Sequence, residues 1–133
     1  MKRVLFAAFA VTMLFGAAVQ ARAAEYTILH CALTKAYACT SEDGCNAVAI
    51  QYMNLPRFIS IDFAAKVIKS LDKSVQREDT RFGSVDRIEG LTVIHGVEKR
   101  GWSLAIGDMS GEMTLSVTGD GEGFTVFGSC IMP

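Results

Sequence analysis

Along the C-terminal half of the chain, apolar and polar side chains alternate residue by residue. Met113, Leu115 and Val117 are set against Thr114, Ser116 and Thr118. Trp102, Leu104 and Ile106 alternate with Ser103, Ala105 and Gly107, and Ile59, Ile61 and Phe63 with Ser60 and Asp62. A period of two places every second side chain on one side of the backbone, which is strand geometry and not helix geometry. Leu91, Val93, His95 and Val97 predict a further strand with that set on its buried face. Phe124, Val126, Gly128 and Cys130 predict the last one. Weaker strand patterns cover 26–33, 47–52, 65–71 and 82–88, with a short helix over 32–37 as the minor alternative there.

Turn chemistry separates these runs. Glu89-Gly90, Lys99-Arg100-Gly101, Asp108 to Gly111 and Gly119 to Gly123 fall between stretches of five to eight residues, the spacing of successive antiparallel hairpins. The polar stretch 72–81 predicts an exposed loop, and Pro56 opens a strand, where a missing N–H is tolerated. The expected fold is all-β: an antiparallel meander of about eight short strands forming a small barrel or a sandwich. Closure into a barrel also removes exposed edges.

Four cysteines add a second constraint. Cys31, Cys39, Cys45 and Cys130 allow three pairings. An even count in a short exported chain points to a disulfide framework. The preferred pairing is Cys39–Cys45, around the polar Thr-Ser-Glu-Asp-Gly turn, and Cys31–Cys130, pinning the last strand to the first. Zinc sites and redox centres usually use Cys-x-x-Cys, and haem attachment Cys-x-x-Cys-His, and the chain has neither.

Export is inferred from the N-terminus. Met1-Lys2-Arg3 precedes an uncharged run over 4–19 and then Gln20-Ala21-Arg22-Ala23, the layout of a secretory signal peptide. The run is shorter than the ~20 residues a membrane-spanning helix needs. Residues 1–23 are therefore expected to be removed, leaving 24–133 as a single exported β-domain, periplasmic or secreted, with no membrane span. That domain carries 10 basic and 14 acidic residues, a balance that argues against nucleic-acid binding. A monomer is expected.

Catalytic signals are thin. The chain has two histidines, His30 and His95, and lacks Gly-x-Ser-x-Gly, His-Glu-x-x-His and phosphate-cradling glycine loops. His95, in phase with Leu91, Val93 and Val97, is expected to point inward. Gly119-Asp120-Gly121-Glu122-Gly123 has too few carboxylates for a calcium loop and reads as a hairpin turn. Met53, Met109, Met113 and His95 are the candidates for a Cu(I) thioether set, though methionines more often fill core gaps. The basic series Lys66, Lys69, Lys73, Arg77 and Arg81 is interrupted by acids and reads as a solvated face.

No cofactor, metal site or catalytic residue is therefore expected. The leading functional expectation is a non-enzymatic binding or interaction module of the cell envelope, its partner an envelope component or protein. The alternative is a carrier of a small apolar ligand inside the barrel, its cavity lined by aromatic residues from Tyr26, Phe58, Phe63, Trp102, Phe124 and Phe127, with Trp102, Phe124 and His95 as candidate site residues. That reading requires a closed interior cavity of at least ~300 Å³, and a filled interior excludes it. A small hydrolase using His95 and a carboxylate ranks third.

Overall fold

The computed structural model describes residues 27–133. The expected signal segment, its cleavage site and Tyr26 lie outside them. Ten strands follow in chain order: β1 (Ile28–Thr40), β2 (Gly44–Val48), β3 (Phe58–Asp62), β4 (Val67–Ser70), β5 (Thr80–Arg81), β6 (Ser84–Ile88), β7 (Leu91–Val97), β8 (Gly101–Gly107), β9 (Glu112–Thr118) and β10 (Glu122–Ile131). One 3-10 turn, Ile50–Met53, interrupts them. They form one antiparallel sheet in the order β5-β4-β3-β1-β10-β9-β8-β7-β6, with β2 paired to β1 off this path.

A single sheet, curled into a half-barrel, decides between barrel and sandwich. The two ends of the strand order are neighbours in the chain, since β5 ends at Arg81 and β6 begins at Ser84. Between them the Phe82 N–H donates to the Lys66 carbonyl at 3.2 Å and the Gly83 N–H to the His95 carbonyl at 2.8 Å. One bent stretch of backbone thus bonds to both ends of the curl. The remaining strands follow a meander, and β1 and β10 complete it with antiparallel register from His30↔Ile131 to Thr40↔Glu122.

Strand β1 is longer than its pattern suggests. Residues 32–37, where a short helix competed, are strand because β10 pairs along one side and β3 and then β2 along the other. Tertiary pairing overrides local propensity here. A register shift between Leu33 and Lys35 keeps Leu33 and Ala36 both inward. Beyond Val48 the expected strand gives way to the 3-10 turn, capped by Asn54 in the left-handed region at φ 52°. The expected loop over 72–81 holds as far as 79, and its last two residues form β5.

Both expected disulfides are present, Cys31–Cys130 and Cys39–Cys45. Each joins residues directly opposite in register, the first across β1 and β10 and the second across β1 and β2. The long-range bridge staples the barrel, and the short one stiffens the β1–β2 hairpin.

The core consists of inward residues from the meander, with Ile61, Ile94 and Val126 fully buried. The faces of β3, β8, β9 and β10 are those the alternation indicates, whereas β7 is reversed. Thr92 and Ile94 are buried and His95 is exposed. Cross-strand neighbours decide the matter: Ile94 lies opposite Leu104, and Gly96 opposite Trp102. The Trp102 indole lies over Gly96, where a Cβ would overlap the ring. Gly96→Ala is expected to cost about 1–3 kcal/mol, the range for overpacking. Gly83→Ala, whose added carbon meets nothing closer than the His95 carbonyl at 3.8 Å, is the near-neutral control. Urea unfolding of both variants checks this, and equal midpoints would contradict it.

Candidate functional site

One end of the barrel is filled and the other is not. The filled end is plugged by Ile61, Ile106 and Met113, each at most 1% exposed. Towards the other end, β4 and β5 share only the pairs Val67↔Arg81 and Ile68↔Thr80. There the chain leaves the sheet through residues 71–79. β3 starts only at Phe58, so the upper part of β1 pairs with β2 instead. The strands splay, and a half-open cavity of about 880 Å³ lies between them.

The cavity has an apolar floor and a charged rim. Its floor is made by inward side chains of the sheet, including Leu33, Ile59, Trp102, Leu115, Val117 and Phe124. Tyr52 and Met53 of the 3-10 turn, with Asn54 to Pro56 after it, form one side of the rim. Gln76 to Glu78, Glu98 to Arg100 and Glu122 supply the rest. Two arginines tie the rim together. Arg77 pairs with Glu98 at 3.1 Å and donates to the Thr80 hydroxyl at 3.3 Å and the Asn54 carbonyl at 3.5 Å. It thereby links the 71–79 loop, the turn before β3 and the β7–β8 hairpin. Arg100 pairs with Glu122, and its guanidinium carbon lies 5.3 Å from the centre of the Phe124 ring. Exposed pairs of this kind contribute at most about 1 kcal/mol each, so their main effect is to shape the mouth.

The loop beside the mouth is ordered locally. The Ser74 hydroxyl and backbone N–H both donate to the Asp72 carboxylate, at 2.6 and 2.9 Å. Those bonds hold the Asp72 carboxyl below its ordinary pKa. One polar atom stands apart: the Trp102 Nε1 is buried and has no hydrogen-bond partner among the described residues. A buried donor left unmatched carries a desolvation cost.

Of the candidate site residues, Trp102 and Phe124 line the cavity and His95 does not, nor do the other expected aromatic residues Phe58, Phe63 and Phe127. With β7 reversed, the His95 side chain lies on the outer face, 45% exposed, with Nε2 3.4 Å from Asp86 Oδ2. The expectation that it points inward is corrected accordingly. The methionine set is not assembled: Met113 is in the core, while Met109 is 98% exposed on the β8–β9 turn. Among the described residues no three His, Cys, Asp or Glu side chains gather as a metal site would need. The β9–β10 turn falls in the expected segment, over Gly119 to Gly121 with Glu122 and Gly123 already in β10, and is closed by the Gly119 N–H donating to the Glu122 carbonyl at 2.9 Å.

Arg77, Glu98, Arg100 and Glu122 were not legible as a group. Each arginine meets its glutamate across 21 or 22 residues of chain, and no local pattern marks such a pair. Arg77 belongs to the basic series read as a solvated face, and it and Lys69 are the members that line the cavity. No protein-family model, curated protein or solved structure matches this chain.

Proposed function

We propose that this chain is a non-enzymatic binding protein that takes a small apolar ligand into the open end of its barrel. The observation that carries this is the cavity. At about 880 Å³ it lies within the ~300–1,000 Å³ range of small-molecule sites, as a half-open cleft and not the closed cavity expected of a carrier. Its floor is apolar and its polar groups sit at the rim, the usual division of labour between affinity and orientation. The carrier reading thus moves ahead of a general interaction module. Insertion of a partner protein's side chain into the same mouth is the second reading, favoured by Tyr52, which is 72% exposed at the rim.

The setting is an oxidising compartment. Two disulfides and a signal-like N-terminus support action in a periplasm or outside the cell. The disulfides also hold the cavity walls before binding, which reduces the ordering cost of recognition.

Trp102 is the only tryptophan in the chain and lines the cavity, so its fluorescence reports occupancy. Titration with dodecanol, kept below its solubility limit, is expected to give a saturable change in Trp102 emission. A flat response would count against the proposal.

A further inference from the structure

We infer that the ligand is an anionic amphiphile, its apolar chain on the cavity floor and a carboxylate-like head at the rim beside Lys99. This rests on the cavity being the binding site. The charges of the lining identify the head. Lys99, at the tip of the β7–β8 hairpin on the rim, is exposed and forms no ion pair among the described residues. Its ammonium is free to bond a carboxylate.

The acids at the mouth are largely committed. Glu98 is held by Arg77 and Glu122 by Arg100, which leaves Glu78, Lys69 and Lys99 as the lining charges outside those two pairs. The lining therefore holds four cationic side chains, Lys69, Arg77, Lys99 and Arg100, against three acids. Residues 27–133 as a whole carry 10 basic and 13 acidic residues. The mouth thus runs against the charge of the molecule around it. A cationic head would meet an excess of like charge there, and an anionic head the opposite.

Three probes of equal chain length test this at pH 8: dodecanoate, dodecanol and dodecylammonium, each below its aggregation limit. Trp102 emission is the readout, on the chain with both disulfides intact. Dodecanoate is expected to bind at least tenfold more tightly than dodecylammonium. The net negative charge of the protein alone would favour the reverse order. Lys99→Gln, on an exposed turn, is expected to weaken dodecanoate at least threefold more than it weakens dodecanol. Equal affinities for all three, or no effect of Lys99→Gln, would overturn the head-group inference while the cavity remained the binding site. No response to any probe would overturn the cavity reading, and this inference with it.

Discussion

Replacing Cys31 and Cys130 together by serine is expected to remove about 4–5 kcal/mol of stability. The two residues are 99 apart in the chain, and closing a loop of ~100 residues restricts the unfolded ensemble by about 4.7 kcal/mol. Both positions are also buried, at 2% and 6% exposure, so two hydroxyls would enter the core with no bond waiting for them. Against a total stability of about 5–15 kcal/mol for a domain, the variant would be marginal at physiological temperature. The pair Cys39 and Cys45, only six residues apart, should cost about half as much by the same relation. Its loss loosens the β1–β2 hairpin and leaves the β1–β10 pairing at the centre of the sheet intact. Urea unfolding of the two double variants measures the difference directly. Equal losses would mean that loop length does not govern these bridges.

Filling the cavity should abolish binding without harming the fold. Val117 is half-buried on the floor, opposite both Trp102 and Phe124 in register. A phenylalanine there extends into open space instead of into packed core, so Val117→Phe is expected to change stability by less than about 1 kcal/mol, below the usual cost of overpacking. Its ring would occupy the volume between the two aromatic side chains. The affinity for dodecanol or dodecanoate should fall by at least tenfold, about 1.4 kcal/mol. Calorimetric titration of the variant, beside its unfolding curve, separates the two effects. Unchanged affinity in a folded variant would place the ligand elsewhere.

The legible parts of this fold are those where one face of a strand is apolar and the other polar. β9 is the clearest case, with Met113 and Leu115 buried and Thr114 and Ser116 outside them in the pattern. β7 was misjudged because both of its faces are plausible cores: Leu91, Val93 and Val97 compete with Thr92 and Ile94. What decides between them is the opposite strand. Trp102 needs a residue without a side chain beneath its ring, and Gly96 supplies it. That information lies across a hairpin, beyond what alternation within one strand can carry.

The disulfides were legible because each has a local sign. A polar, glycine-containing turn lies between Cys39 and Cys45, and Cys130 sits in the last strand of a meander whose ends must meet. The cavity was legible only in its floor, through Trp102 and Phe124. Its rim exists because the curl brings Arg77 to Glu98 and Arg100 to Glu122, and its volume arises because β4 and β5 part after two residue pairs. Neither fact follows from the spacing of residue types along the chain.

The most direct test of the cavity as the binding site is a titration of isotopically labelled protein with dodecanoate, followed by amide chemical shifts. Binding as proposed should move resonances of Leu33, Ile59, Trp102, Val117 and Phe124 together with Lys99, and the Trp102 indole N–H as the surroundings of its ring change. The outer-face pair His95 and Asp86 should stay still. Shifts confined to that outer face, with the floor residues unmoved, would contradict the account.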